Sequence, residues 1–93
     1  MYYIYILYSK TIDRYYVGHT NDVKRRLEEH NNPSRRNKFT AQTSDWILVL
    51  EILAGDTRSK AVKFERYIKK KKSRKYIEDL ISSKGENLTN QVG

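Results

Sequence analysis

Residues 2–8, Tyr-Tyr-Ile-Tyr-Ile-Leu-Tyr, carry an apolar or aromatic side chain at every position, with no glycine, proline or charge among them. Side chains alternate between the two faces of a strand, so a run without polar alternation needs cover on both sides of its sheet. That requirement falls on a chain of 93 residues with no cysteine. A disulfide framework and a thiolate zinc cluster are both excluded, and a compact core must hold the fold by itself. We read one domain over residues 1–84 and a loose tail over 85–93.

The other elements follow from breakers, caps and periodicity. Residues 9–14 are a polar connection, and residues 15–19, Tyr-Tyr-Val-Gly-His, form a second short strand, so the chain opens as a β-hairpin. A register that sets Tyr5 opposite Tyr16 puts both rings on one face. Gly18 is expected to let the chain turn from this strand into a helix without crowding a ligand. The helix runs from Asn21 to about His30, with Thr20, Asn21 and Asp22 as candidate caps and Val23 and Leu27 one turn apart. Lys24 with Glu28 and Arg25 with Glu29 are spaced as exposed i, i+4 pairs, whereas Arg26 lies beside the apolar stripe. Residues 31–45 read as a basic loop, residues 46–53 as the clearest strand, and Thr57 as the cap of a long helix. A further helical segment carries Tyr76, Ile77, Leu80 and Ile81 on one face.

Lys and Arg number 19 against 11 Asp and Glu, a net charge of +8. A surplus of this size on so small a domain favours a polyanionic partner, with nucleic acid ahead of an anionic membrane. The first ten residues lack the basic start of a signal peptide, and no apolar run reaches the roughly 18 residues of a membrane span. The expectation is a cytoplasmic protein with no membrane partner. Residues 69–75, Lys-Lys-Lys-Lys-Ser-Arg-Lys, read as a solvated charge run that contacts phosphates without selecting a site.

One carboxylate is out of place. On the helix after Thr57, Ala61, Phe64 and Ile68 define the inward stripe, and Glu65 falls between the directions of Ala61 and Val62. A buried carboxylate is costly unless it is paired or bound to a metal. Either Glu65 makes a salt bridge, with Arg26 as one candidate, or it reaches solvent at the end of the stripe, or it holds an ion.

Taken in order, a Tyr in the first strand, Tyr-x-Gly in the second, an Arg eight residues beyond that Gly and a Glu on a later helix resemble the GIY-YIG nuclease superfamily. The first motif stands as Tyr3-Ile4-Tyr5 and the second as Tyr16-Val17-Gly18, and the similarity is greatest to the small single-domain bacterial members. Tyr3 occupies the place of the first motif's glycine, and His19 a place where several relatives have a lysine. The resemblance implies an α+β fold with a three-stranded antiparallel sheet flanked by helices. It implies that Tyr16 acts as general base or positions the attacking water, with Tyr5 in support. Arg26 then binds phosphate, and Glu65 is the metal-binding carboxylate, with Mg²⁺ or Mn²⁺ as cofactor.

His19, His30, Lys38 and Thr40 are candidates for substrate contacts; His30 could instead end its helix, where a cation favours the dipole. Asn87 and Asn90 both suit a late asparagine that often contributes in the family. The implied activity is metal-dependent hydrolysis of DNA phosphodiesters, on branched, flapped or damaged DNA, with DNA shape or a partner protein choosing the target. A tyrosine base needs its ordinary pKa near 10 lowered by positive charge, which Arg26, His19 or a metal would supply. The alternative is a nucleic-acid-binding module that keeps the fold without catalysis, and a weaker one is a ribosome-associated RNA-binding protein.

Overall fold

A computed structural model describes residues 1–32 and 40–86. Three antiparallel strands, β1 (Tyr2–Ser9), β2 (Arg14–Thr20) and β3 (Ile47–Gly55), form a sheet in the order β2-β1-β3. The run that is apolar on both faces is therefore the central strand. Ile4 and Ile6 point to one side and Tyr5 and Leu7 to the other, and all four are buried.

Each face has its own cover. Helix α1 (Val23–Asn31) brings Val23 and Leu27 against Tyr5, Leu7 and Trp46. Helices α2 (Arg58–Lys70) and α3 (Arg74–Ser82) bring Ala61, Ile68 and Leu80 against Ile4 and Ile6. Burying side chains of this size contributes about 1.5–3 kcal/mol each, which offsets the ordering entropy of a short chain. The α+β architecture expected from the sequence is the one observed. Among the described residues, no helix is long and apolar enough to cross a membrane.

The hairpin register differs from the expected one by two residues: Tyr5 pairs with Gly18, and Leu7 with Tyr16. An even shift leaves every side chain on its face, so Tyr5 and Tyr16 become diagonal neighbours on the α1 side. The role expected of Gly18 is corrected at the same time. β2 continues past it to Thr20, and the passage into α1 is made by polar side chains, with the Asp22 N–H donating to Thr20 Oγ1 and Asp22 accepting from the Arg25 N–H. Gly18 is bare because the Tyr5 ring lies over it, not because the chain turns there.

Carboxylates tie the loops to this frame. Asp45 accepts from Ser9 Oγ, the Thr11 N–H and Oγ1, and Thr43 Oγ1, joining the β1–β2 turn to the approach of β3. Those donors hold its carboxyl well below the usual carboxylate range. Asn31, at the end of α1, bonds both the N–H and the carbonyl of Trp46, each at 2.9 Å. That clamp seats the Trp46 ring under the sheet, where it is 2% exposed.

Candidate active site

Tyr5, Tyr16, His19, Arg26, His30 and Glu65 gather around β2, which is an edge strand, and they approach it from both faces of the sheet. Tyr16 alternates to the α1 side with Tyr5, whereas His19 alternates to the α2 side with Ile4, its cross-strand partner. Glu65 comes up from α2 on that second side. The site is thus wrapped round an edge.

On the α1 side the Tyr5 and Tyr16 rings stack with centroids 6.2 Å apart and planes 20° apart. His30, one helical turn beyond Arg26, packs against both rings, at 5.7 Å from Tyr5 and 4.8 Å from Tyr16. The Tyr5 hydroxyl lies 2.8 Å from His30 Nε2, with the Arg26 guanidinium against the same hydroxyl. Burial pushes the Tyr5 phenol up to about 12 against the pull of Arg26. Burial, reinforced by Arg26, pushes His30 down to about 4. At neutral pH the phenol therefore keeps its proton and donates to a neutral imidazole. His30 stands in the last turn of α1, and this bond leaves it enclosed, only 1% exposed.

Arg26 is half-buried, and its Nη1 donates to Glu29 Oε1 at 3.0 Å. It is not the partner of Glu65. That carboxylate accepts instead from His19 Nδ1 at 2.6 Å on Oε1 and from Lys69 Nζ at 2.9 Å on Oε2. Burial works to raise the Glu65 pKa, but the bonds from Lys69 and His19 outweigh it and hold the carboxyl below its ordinary value. Glu65 is ionised at neutral pH and only accepts, so His19 Nδ1 is the donor of this bond.

Lys69 is the residue that sequence reasoning passed over. Read as part of a solvated run, it instead bonds Glu65 one helical turn away and sets its ammonium 5.8 Å from the centroid of the Tyr16 ring. It joins the two sides of the site around the edge of β2. The i, i+4 spacing from Glu65 was the available signal. Lys38, Asn87 and Asn90 lie outside the described residues, and Thr40 begins a short 3-10 turn, Thr40–Gln42.

An ionised single carboxylate at partial exposure suits a divalent cation such as Mg²⁺, which retains waters and takes one or two protein carboxylates. Among the described residues no three His, Asp or Glu side chains form a metal cage.

A tyrosine pair backed by a buried histidine, an arginine beside it and an ionised carboxylate across a strand edge make a site suited to phosphate-ester chemistry on a basic α+β domain. The chain belongs to the GIY-YIG family, whose catalytic domain it matches over residues 1–77, and nuclease is the class of activity this membership indicates. It is 30% identical over 79 residues to an uncharacterized protein of Acanthamoeba polyphaga mimivirus, across 83% of this chain and 48% of that protein. The chain spans about half the length of that relative. No solved structure matches it.

Proposed function

We propose that this protein is a metal-dependent endonuclease that hydrolyses DNA phosphodiester bonds in branched, flapped or damaged DNA, with a role in repair. The observation that carries the reading is the link Lys69 makes around the edge of β2, its ammonium bonding Glu65 at 2.9 Å and lying 5.8 Å from the Tyr16 ring centroid. Binding alone asks only for a basic surface; it does not need an ionised carboxylate beside a stacked tyrosine.

Hydrolysis adds one water to phosphorus and breaks one P–O bond, leaving a phosphate monoester and a hydroxyl end. In this reading Tyr16 Oη orients the water and takes its proton. Arg26 holds the phosphoryl oxygens, where its planar fork matches two acceptors at once. Tyr5 and His30 act behind them by fixing the Tyr16 ring. Glu65 would hold a Mg²⁺ or Mn²⁺ ion, which when bound would neutralise charge on the phosphoryl group. His19 and Lys69 orient the carboxylate. Residues 1–84 are the catalytic domain in a cytoplasmic setting, and DNA shape or a partner protein selects the target.

A non-catalytic nucleic-acid-binding module is the second reading. It is favoured by the satisfaction of both Glu65 oxygens by side chains of the protein itself. The two readings separate on nicking of linear, flapped and four-way DNA, with matched RNA, in Mg²⁺ or Mn²⁺. Metal-dependent cutting that EDTA and Glu65→Gln both remove, with DNA binding retained, supports the nuclease. Salt-sensitive binding with no cutting of any substrate supports the binding module.

A further inference from the structure

A cleft of about 550 Å³ opens beside the site, between β2 and the junction of α2 with α3. It lies within the range of about 300–1,000 Å³ typical of small-ligand clefts. Its inner surface is apolar, with Val17, Ile68 and Ile77 among the lining residues. One wall is the Tyr15 ring, over which the Arg74 guanidinium lies at 5.2 Å from the centroid. That guanidinium is held in place by three bonds, two to Asp13 and one to Glu78.

The rim is cationic. Arg14, Lys69 and Lys72 line the cleft with Arg74, against the single acid Asp13. Lys72 sits in the break between the helices at φ 49, a backbone conformation uncommon for a residue with a side chain. Tyr16 and Lys69 belong both to this lining and to the site, so the cleft continues the site along the strand edge.

The chemistry of floor and rim selects the occupant. A duplex hides the faces of its bases in the stack and offers phosphates and groove edges, which an apolar floor does not match. An unpaired nucleotide offers a flat apolar face and a phosphate together, and bases stack readily on aromatic rings and arginine planes. We infer that this cleft binds one unpaired nucleotide of the DNA strand next to the phosphate held at Tyr16, with its base against the apolar wall and its backbone on Lys72 and Arg14. The inference rests on the nuclease reading for its substrate, and it makes a single-strand junction the preferred target of the site.

Binding is the test, and it needs no catalysis. Fluorescence anisotropy in EDTA at fixed salt would compare a blunt duplex with the same duplex bearing a short single-stranded overhang, for the wild type, Lys72→Glu, Arg14→Glu and Lys24→Glu. Lys24 is exposed on α1, away from the cleft, and controls for the loss of general charge attraction. The expected result is a preference of about tenfold for the overhang, the scale of one stacked base. Lys72→Glu and Arg14→Glu should erase that ratio, whereas Lys24→Glu should weaken both substrates alike and keep it. 2-Aminopurine at the first unpaired position should change its emission on binding more than the same base three positions further out. Equal affinity for the two substrates, or an equal response at both 2-aminopurine positions, overturns the cleft assignment even if the protein cuts DNA. A kept preference without any cutting upholds the cleft and removes the nuclease.

Discussion

Tyr5 lies across Gly18 of the neighbouring strand so closely that a Cβ on residue 18 would stand 2.5 Å from Tyr5 Oη and 2.6 Å from Cζ. The glycine is the floor on which the buried tyrosine rests, and that tyrosine in turn stacks on Tyr16. Gly18→Ala should therefore push the phenol off His30 and destabilise the fold by about 1–3 kcal/mol, the usual cost of overpacking a core. Urea denaturation would measure it. A loss under about 0.5 kcal/mol would mean that the Tyr5 ring shifts freely, contrary to its enclosure.

His30 predicts an acid-sensitive fold. Its folded pKa of about 4 lies below the ordinary 6.5, so between those values the unfolded chain takes up a proton that the folded protein refuses. Stability is complete above about pH 6.5 and falls by up to about 3 kcal/mol as the pH drops through 4. His30→Gln keeps an acceptor for the Tyr5 hydroxyl and cannot titrate. Denaturation at pH 7.5 and 4.5 should show a much smaller difference in the variant than in the wild type; equal differences would remove His30 as the cause.

Tyr16→Phe deletes one hydroxyl and leaves the ring contacts with Tyr5, His30 and Lys69 in place. Stability should stay within about 0.5 kcal/mol of wild type. Cleavage should fall by about 10²–10⁴, the scale of a lost general base. Single-turnover rates on a DNA substrate at saturating protein would report it, and an unchanged rate would end the role of Tyr16 as base.

The bond between His19 and Glu65 joins β2 to α2 across 46 positions of sequence. A double-mutant cycle of His19→Ala and Glu65→Gln at neutral pH should give a coupling of about 1 kcal/mol, the scale of one net hydrogen bond. Because the Glu65 pKa is depressed, this contribution is present above the ordinary carboxylate range and disappears as the pH falls below it. Strictly additive single mutants would show that the contact carries no energy.

Local patterns in the sequence account for the elements well. Asp22, Thr57 and Ser73 each cap a helix by accepting from the N–H three residues on, and the Ala61 and Ile68 stripe is buried as its spacing predicts. Register is less legible, because shifts of two residues preserve the facing of every side chain and the hydrophobic pattern cannot tell them apart. The partners of the charged residues are less legible still. Glu65 reads as wanting a cation, and the i, i+4 spacing points to Lys69, but nothing local distinguishes Arg26 from His19.

By itself, the sequence determined that a strand apolar on both faces must lie at the centre of a covered sheet, where the helices begin, and that one carboxylate sits on the wrong face of its helix. Those properties depend on side-chain alternation, caps and helical period, all of which act within a few residues. Only the tertiary structure decided that Gly18 makes room for Tyr5, that His30 is enclosed and neutral, and that Lys69 links Glu65 to Tyr16 around a strand edge. Such contacts depend on which edge faces which helix, and that is fixed by packing the whole core at once.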